Sequence, residues 1–259
     1  MITAHCIVKN EENFVWFAIN SILDYVNKMI IWDTGSTDKT VEIIKSIGSP
    51  KISFEEKGPV SPQEFAKLRG EMVKMTDTDW IFILDGDEVW HGDAVADLRS
   101  KIYDLGDKKD VVVVPNYMLI GDIFHYQEES AGKYKIGERK GHYNIRAIRK
   151  TDGLHVEGIY PNEAYVTKNA IKVQDLDKEK ILFLDEPYLH ASFLKRSSKD
   201  RKKIKYEMGE NFPKDFYYPE VFFKPRPVIV PSPWQAITAG YKLNAFWQTL
   251  LKKIKRRLI

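Results

Sequence analysis

Three carboxylates follow a short run of large apolar residues in the first third of the chain. Trp80–Leu84 is too short for a helix and is rich in residues that favour strands, so it predicts a buried strand. Asp85, Gly86 and Asp87 then turn the chain, and Glu88 follows directly. Two carboxylates separated by one small residue can direct their oxygens to one point, which suits Mg²⁺ or Mn²⁺ held together with substrate phosphates. An ordinary Asp-Gly turn after a strand explains the same residues, so this pattern alone leaves both interpretations open.

A second polar cluster, with the sequence DTGSTD, begins at Asp33 and joins a predicted strand to a predicted helix. Ser36, Thr37 or Asp38 is expected to cap the helix, because each can accept a hydrogen bond from an unpaired backbone N–H group. Asp33 is not needed for the cap, and its carboxylate could accept a hydrogen bond from a nucleobase or a ribose hydroxyl. The chain contains neither GxGxxG nor GxxxxGK(S/T), so neither a dinucleotide fold nor a P-loop is predicted.

Strands and helices alternate from residue 1 to residue 90. Apolar residues at three- and four-residue intervals predict amphipathic helices, and short runs of β-branched and aromatic residues predict strands. The sequence SPQE from Ser61 is typical of a capped helix start with proline at the first position. Strands are predicted at Ile2–Val8, Lys28–Trp32, Lys51–Glu55 and Trp80–Leu84, and helices at Phe14–Val26, Val41–Ile47 and Pro62–Met75.

This alternation predicts an α/β fold with a mostly parallel, Rossmann-like sheet and helices on both faces. In such a sheet the carboxyl ends of the strands share one edge, and ligands bind in the crevice there. Asn10, Asp33 and Asp85 each follow the end of a predicted strand. We therefore expect three polar clusters that are far apart in the sequence to line one site.

The second half of the chain has a different pattern. After a helix from Asp93 and a strand at Val111–Val114, strands follow one another without clear helices, so this half is expected to be more antiparallel. The predicted organisation is one domain over residues 1–211, divided at residue 115, an extended arm over residues 212–233 and a terminal helix over residues 234–259. Elements are predicted at Tyr117–Tyr126, Tyr143–Arg149, Tyr160–Val166 and Phe183–His190, with a helix at Lys199–Met208, an arm at Phe212–Pro233 and the terminal helix from Pro233 or Trp234.

The composition is that of a soluble globular protein. Of 259 residues, 43% are hydrophobic and 30% are charged, and a net charge of +3 gives no indication of nucleic-acid binding. The single cysteine, Cys6, cannot form an internal disulfide, which indicates a reducing compartment. The chain has no leader-like start and no run of about 18 apolar residues, so neither secretion nor a spanning helix is predicted and a cytoplasmic location is expected.

The last turns of the chain combine a basic face with an apolar stripe. A basic amphipathic helix with an aromatic anchor can lie in the interface of an anionic membrane, which here would be the inner face of the membrane. A helix that docks on the protein body or on a second copy would show the same pattern. The stripe comprises Phe246, Trp247, Leu250, Leu251, Ile254 and Leu258, and the basic residues are Lys252, Lys253, Lys255, Arg256 and Arg257.

Four blocks of the sequence together resemble the family 2 glycosyltransferases of the GT-A fold. The blocks occur in the family's order over residues 1–90, and a weaker similarity continues to about Lys195. Their combination is far more specific than any one block alone. The blocks are VKNEE from Val8, WDTGSTDKT from Trp32, the segment Phe65–Arg69, and DGDE from Asp85.

The resemblance implies an enzyme that transfers a sugar from a UDP-, GDP- or dTDP-sugar to a hydroxyl of a glycan or a lipid-linked saccharide, with inversion. Mn²⁺ or Mg²⁺ would bridge the donor's two phosphates and stabilise the charge on the departing nucleoside diphosphate. Residues 1–115 would form the nucleotide-sugar half and residues 116–211 the acceptor half. Two alternatives remain open: a nucleotidyltransferase on a similar sheet, and a non-catalytic module that binds a nucleotide sugar or a glycan.

The resemblance also implies roles for individual residues. They match the family's motifs position by position, except that Gly70 stands where asparagine is common. Asp33 would contact the base or the ribose, and Arg69 would reach the nucleotide. The nucleotide-sugar site would comprise Val8, Asn10, Glu11, Asp33, Arg69, Asp85 and Gly86, and the metal ligands would be Asp87, Asp85 and His190.

An inverting transfer needs a general base beside the acceptor hydroxyl, and this base is usually a carboxylate. Glu163 is the preferred candidate and Glu157 the second, because both lie in the acceptor half near the point where the family carries an acidic residue. Asp122 and Asp152 stay open as further candidates.

Overall fold

The computed structural model describes residues 1–194 and 205–257, which form a mixed α/β architecture. Each strand and helix predicted for residues 1–90 is present, with ends shifted by four residues at most. The helices are α1 Val15–Ile22, α2 Thr40–Ile47, α3 Pro62–Met75, α4 Gly92–Leu105 and α5 Ala239–Arg257. The strands are β1 Ile2–Val8, β2 Lys28–Asp33, β3 Ile52–Glu56, β4 Trp80–Asp85, β5 Glu88–Val89, β6 Val111–Ile120, β7 Asp122–Tyr126, β8 Tyr134–Ile136, β9 Arg139–Gly141, β10 Tyr143–Arg149, β11 His155–Glu157, β12 Ala164–Val166, β13 Ile181–Phe183, β14 Tyr188–Phe193 and β15 Glu210–Asn211.

Four parallel strands, in the order β3-β2-β1-β4, form one side of the central sheet. β1 and β4 are buried along almost their whole length, as expected for parallel strands that helices cover on both faces. α1 is apolar nearly all round and buried, which places it inside the core. The capped start of α3 is present as predicted, because Glu64 accepts hydrogen bonds from the Ser61 N–H at 3.0 Å and the Ser61 hydroxyl at 2.7 Å.

The remainder of the sheet is mixed. β10 lies antiparallel between β4 and β6, and β7 is antiparallel to β6. β13 and β14 run parallel to successive parts of β6, and the short β5 pairs with β14. Within the described residues, eleven strands belong to this one sheet, and β6 crosses the predicted division at residue 115. The expectation of a more antiparallel second half is correct for most strand pairs, with β13 and β14 as exceptions.

Two predicted strands are interrupted. The segment Tyr117–Tyr126 turns at Gly121, whose φ of +79° favours glycine, and so it divides between β6 and β7. Of Tyr160–Val166, only Ala164–Val166 is a strand. The residues before it form a tight turn, in which the Asn162 N–H donates to the Ile159 carbonyl at 2.7 Å and the Tyr160 N–H donates to the Pro62 carbonyl of α3, and these bonds outweigh the strand preference of the aromatic residue.

The helix predicted at Lys199–Met208 lies mostly outside the described residues, and residues 205–208 are not helical. The Glu207 N–H donates to the Tyr241 hydroxyl at 3.3 Å, and the Met208 N–H donates to the Thr249 hydroxyl at 2.9 Å. Both hydroxyls belong to α5. Tertiary hydrogen bonds therefore replace the intrahelical ones that the charged pattern predicts.

The arm at Phe212–Pro233 packs on the body through aromatic side chains. Apart from a short 3₁₀ turn at Glu220–Phe223, it has no regular helix or strand. Phe212 stacks on Phe216 with ring centroids 4.0 Å apart, and it also meets the ring of Tyr117 from the sheet. Ring pairs of this kind bury a large apolar area, which holds the arm in place without a backbone ladder.

The terminal helix α5 begins at Ala239, five or six residues later than predicted. The Thr238 hydroxyl accepts a hydrogen bond from the Tyr241 N–H at 3.2 Å and so caps the helix. The preceding Ile237 N–H donates to Asp122 at 2.9 Å, which holds the chain outside the helix. Within the described ranges, no helix combines the length and the apolar character needed to span a bilayer.

Candidate active site

The carboxyl ends of β4, β1 and β2 meet at one edge of the sheet. Ile7 of β1 is level with Asp85 of β4, and Val8 is level with Asp33 of β2. Asp33 and Asp85 therefore flank β1, about 10 Å apart at the backbone, since neighbouring strands are about 4.8 Å apart. We refer to this edge, which also carries Asn10, as the rim.

The loops after β1 and β2 are hydrogen-bonded to each other. Asn10 has φ +57°, a left-handed conformation that asparagine tolerates better than most residues, and its Oδ1 accepts from the Thr37 N–H at 2.7 Å. The Asn10 N–H donates to the Ser36 hydroxyl at 2.8 Å, and the Glu11 N–H donates to the Thr40 hydroxyl at 2.8 Å. These bonds hold the two loops together as one wall of the rim.

Asp33 organises its own loop. Its Oδ1 accepts from the N–H groups of Gly35 and Ser36, each at 2.9 Å, and its Oδ2 accepts from the Ser36 hydroxyl. The side chain is almost completely buried, so a bond to a nucleobase or a ribose would have to replace one of these. At the start of α2, Asp38 Oδ1 accepts from the Thr40 N–H at 2.9 Å, so Asp38, one of the three predicted residues, satisfies the backbone N–H of the first helical residue.

The Asp-Gly-Asp turn after β4 packs against the loop after β1. A methyl group at Gly86 would lie 3.0 Å from side-chain atoms of Val8 and of Glu11, which is closer than carbon atoms normally approach. This close approach favours glycine, because a larger residue would have to displace the side chains of Val8 and Glu11. Val8, Glu11 and Gly86, three residues predicted for the nucleotide site, lie side by side.

Four side chains of the β4–β5 turn and of β14 form what we call the acidic cluster: Asp85, Asp87, Glu88 and His190. One ligand atom from each of Asp85, Glu88 and His190 lies within 4.8 Å of the others. His190 Nε2 is 3.5 Å from Asp87 Oδ1, and His190 Nδ1 is 3.8 Å from Glu88 Oε1. The antiparallel pairing of β5 with β14 produces this arrangement, because it sets His190 level with Glu88.

A buried arginine of β10, Arg146, completes the acidic cluster. Its Nη2 donates to Asp85 Oδ2 at 3.1 Å and to Glu88 Oε1, and its Nε donates to the Tyr188 hydroxyl at 3.1 Å. Burial by itself raises the pKa of Asp85, but Arg146 and Arg69 outweigh burial and lower it. For the fully buried Glu88 the burial effect prevails over Arg146, and the pKa is raised. One guanidinium thus donates to two of the three carboxylates of the cluster.

Arg69 of α3 and Glu163 form a second charged pair at the rim. Arg69 Nε is 3.3 Å from Glu163 Oε1, and both side chains are mostly buried. Burial by itself lowers the pKa of Arg69, but Tyr165 and the nearby carboxylates of Asp85 and Glu163 outweigh this effect and raise it. The second oxygen, Glu163 Oε2, is buried and has no hydrogen-bond partner within the part of the chain that the structure describes.

The turn before β12 places Glu163. Gly158 has φ +100°, and a methyl group there would lie 2.9 Å from a backbone carbonyl oxygen of the same turn. The Tyr160 N–H donates to the Pro62 carbonyl at 3.1 Å, so the turn is bound to the first residue of α3. The helix that carries Arg69 therefore also positions the turn that carries Glu163.

The other carboxylates considered for the general base have different surroundings. Glu157 is 64% exposed and lies 3.0 Å from His155 Nε2, in a small two-stranded sheet of β11 and β12. Asp122 is buried and accepts from two backbone N–H groups, so it anchors the chain before α5. Asp152 is exposed. Of these four described carboxylates, Glu163 is the one that is paired with a rim arginine.

The comparison with known families agrees with this geometry. A protein-family sequence model, described as glycosyl transferase family 2, matches residues 4–158, which is more than half of the chain. The chain belongs to glycosyl transferase family 2. The matched part runs from β1 to the end of β11 and includes the rim, the Asp-Gly-Asp turn and Arg146, whereas Glu163 and His190 lie beyond it.

Relatives of this family 2 chain are similar over about a third of its length. It is 31% identical over 90 residues to the SPbeta prophage-derived glycosyltransferase SunS of Bacillus subtilis, which is 34% of this chain and 20% of that protein. It is 36% identical over 87 residues to an uncharacterized glycosyltransferase of Rickettsia typhi, which is 34% of this chain and 28% of that protein. The chain therefore spans less than a third of the length of these relatives.

A solved structure shares the fold. TarS 1–349 of S. aureus aligns with a TM-score of 0.52 at 14% identity, over 73% of this chain and 60% of that chain. The mixed α/β architecture with a largely parallel central sheet is consistent with the GT-A fold that the family resemblance implies.

Some candidate residues of this family 2 chain emerge from the structure alone. The resemblance implies Asp87, Asp85 and His190 as metal ligands. Glu88 lies close to Asp85 and His190, and Asp87 lies beside the same imidazole. Arg146 and Tyr188 are brought to the cluster by β10 and β14. A charged residue between two apolar residues of a predicted strand is a sequence signal for Arg146, but that signal does not identify its partners.

Proposed function

We propose that this chain is a metal-dependent, inverting glycosyltransferase. It transfers a sugar from a nucleoside-diphosphate sugar to an acceptor hydroxyl of a glycan or a lipid-linked saccharide. The main support is that the acidic cluster, the Arg69–Glu163 pair and the joined loops after β1 and β2 all lie at one rim. TarS, which shares the fold, has been solved in complex with UDP-GlcNAc, so UDP-sugars are the first donors to test.

The nucleoside of the donor would lie along the wall formed by the loops after β1 and β2. Val8 and Glu11 lie beside Gly86 there, and Asn10 and Asp33 shape the loops. Because the backbone of this wall is already hydrogen-bonded, little ordering is needed when a nucleotide binds. Asp33 would exchange its contact with a loop hydroxyl for a ribose hydroxyl or a base N–H.

The acidic cluster suits a divalent cation. Carboxylate oxygens and imidazole nitrogens are ligands that Mn²⁺ accepts, and Asp85, Glu88 and His190 offer both kinds of atom within 4.8 Å of one another. Asp85, Asp87 and His190 would hold the metal, while Arg146 keeps Glu88 in place. Bound Mn²⁺ or Mg²⁺ would supply positive charge to the donor's diphosphate as the sugar leaves.

Glu163 is the proposed general base. Arg69 holds one of its oxygens, and the other has no hydrogen-bond partner among the described residues, so it can accept the proton of an acceptor hydroxyl. The proton passes to Glu163, the hydroxyl oxygen bonds to the anomeric carbon, and the bond from that carbon to the diphosphate breaks. Arg69 is close to both Asp85 and Glu163, so its guanidinium would place a positive charge between the base and the departing phosphates.

The proposed location is the cytoplasm, at the inner face of a membrane where the acceptor is carried on a lipid. The free cysteine, Cys6, is buried, which is consistent with a reducing compartment.

The test is product analysis with UDP-, GDP- and dTDP-sugars, with and without Mn²⁺. Release of a nucleoside diphosphate, together with an acceptor that gains the sugar in inverted configuration, is the expected result. Release of pyrophosphate would indicate nucleotidyl transfer instead. Donor binding without any turnover would indicate a non-catalytic module.

Variants then test the assigned roles. Asp87→Ala is expected to abolish transfer and Mn²⁺-dependent donor binding, and wild-type activity in this variant would refute the metal assignment. Asp97→Ala is the matched control, because Asp97 is a partly exposed carboxylate of α4 paired with Lys101 at 2.7 Å. Glu163→Gln is expected to abolish transfer and to leave donor binding intact.

A further inference from the structure

Helix α5 docks on the protein body through a polar face. Tyr241, Thr249 and Lys252 form hydrogen bonds to the backbone of residues 205–208, at distances between 2.6 and 3.3 Å. Ala245, which is fully buried, lies on the same face. These four residues follow one another at three- and four-residue intervals, so they form one side of the helix.

The opposite side of α5 is apolar and exposed. At 100° per residue, its large apolar residues centre about half a turn away from the docked residues. A helix of a globular protein normally turns its apolar stripe toward the core, so this orientation is the reverse of the usual one. A contiguous apolar surface of this kind marks an interaction site. We call it the outer face: Leu243, Phe246, Trp247, Leu250, Leu251 and Ile254, which are between 49% and 70% exposed.

The charged residues of helix α5 are all positive. Residues 239–257 contain six Lys or Arg residues and no Asp or Glu. We propose that the outer face inserts into the interface of an anionic lipid bilayer, to which the net positive charge of the helix is attracted. Burial of the apolar side chains and attraction to anionic lipids both favour this arrangement. The inference goes beyond sugar transfer, because binding to a bilayer requires neither donor nor metal.

A second copy of the chain is a less favourable occupant of the outer face. Pairing two α5 helices would bring two basic segments together, with no acidic residue on either helix, although Lys252 of each copy lies 3.9 Å from its own Glu207. An anionic surface matches both the apolar and the charged character of the helix. Trp247, which is 64% exposed, is also of the side-chain type that membrane interfaces favour.

The test is flotation of the full chain with lipid vesicles of phosphatidylcholine, with and without phosphatidylglycerol. The chain is expected to float with the anionic vesicles at low salt, to bind much less to pure phosphatidylcholine, and to dissociate as NaCl is added. The triple variant Phe246→Ser, Leu250→Ser and Trp247→Ser should lower the partition coefficient at least about tenfold, because it removes three large apolar side chains. Gln248→Ser, at an exposed polar residue of the same turn, is the matched control and should bind as the wild type does.

The altered side chains are exposed, so the triple variant should keep the wild-type melting temperature, which separates lost binding from unfolding. Failure of the wild-type chain to float with anionic vesicles would overturn the proposal. So would a dimer, detected by light scattering, that the triple variant converts to monomer, because a second copy would then cover the outer face. Turnover of a donor with a water-soluble acceptor should be unchanged in the triple variant, so the result for the membrane is independent of the result for sugar transfer.

Discussion

Replacing Arg146 by methionine tests the electrostatic account of the acidic cluster. Methionine is similar in length to the aliphatic part of the arginine side chain, and it lacks the guanidinium group. Arg146 is 7% exposed and Glu88 is completely buried, so the variant leaves a carboxylate inside the protein without its guanidinium partner. Asp85 is 37% exposed and can be solvated, so most of the cost is expected from Glu88.

The size of the effect follows from this burial. Removing one partner of a buried ion pair costs about 3–5 kcal/mol of the free energy of unfolding. The Tyr188 hydroxyl also loses a donor, but the Asn144 amide still donates to it at 2.6 Å, so this loss should add less than about 1 kcal/mol. The free energy of unfolding of a domain is usually about 5–15 kcal/mol, so over most of that range the variant would remain folded after such a loss.

The cost should depend on pH. Burial already raises the pKa of Glu88 in the wild-type chain, and removing Arg146 raises it further. A carboxyl group with a raised pKa in the folded state contributes stability that is present at low pH and is lost as the pH rises from about 4.5 through the folded pKa. The deficit of Arg146→Met relative to the wild type should therefore be smaller at pH 5 than at pH 8.

Urea unfolding at both pH values, followed by tryptophan fluorescence, measures these free energies. Adding Glu88→Gln to Arg146→Met removes the uncompensated charge and should restore much of the stability. Arg149→Met is the matched control, because Arg149 lies on the same strand, is less buried and is 3.7 Å from Asp110, so its cost should stay below about 1 kcal/mol. If Arg146→Met cost no more than Arg149→Met, or if the double variant recovered nothing, the account of the cluster would be wrong.

Gly86→Ala should weaken nucleotide binding in calorimetry by about tenfold or more, because the added methyl group would press on Val8 and Glu11 at 3.0 Å. Gly70→Ala, in α3 with no atom within 4 Å of the new methyl group, should instead stabilise the chain by about 0.5–1 kcal/mol in urea unfolding. Burial lowers the pKa of His5 to about 3. The contribution of neutral His5 to the free energy of unfolding should therefore be fully present above pH 6.5, and it should decrease as the pH falls from 6.5 toward 3, by up to about 1.4 kcal/mol per pH unit. Melting curves of His5→Gln between pH 7 and pH 4 should show a flatter dependence, and an unchanged slope would contradict this origin. Glu163→Gln should abolish sugar transfer whereas the exposed Glu157→Gln should leave kcat close to the wild-type value, and an equal loss in both would remove the case for Glu163 as the base.

The sequence by itself determines the parallel half of the sheet and the rim. Hydrophobic periodicity and helix capping are local properties, so the strands and helices of residues 1–90 follow from residues that are neighbours in the chain. Once strands and helices alternate, each helix returns the chain so that successive strands run parallel, and the carboxyl ends of parallel strands lie at one edge. This is why the residue pattern alone predicts that Asp33 and Asp85, far apart in the sequence, lie at one edge of the sheet, where they flank β1.

The tertiary structure decides which side chains share a charge and which faces are covered. Arg146 reaches Glu88 because β10 inserts next to β4, and Glu163 reaches Arg69 because a turn is bound to the start of α3. The amphipathic pattern of α5 indicates two faces, but it cannot say which of them docks. That choice depends on the backbone groups of residues 205–208, which are satisfied by hydroxyl and ammonium groups of the polar face and leave the apolar face outward. Partners of this kind are distant in the sequence, and no local pattern contains them.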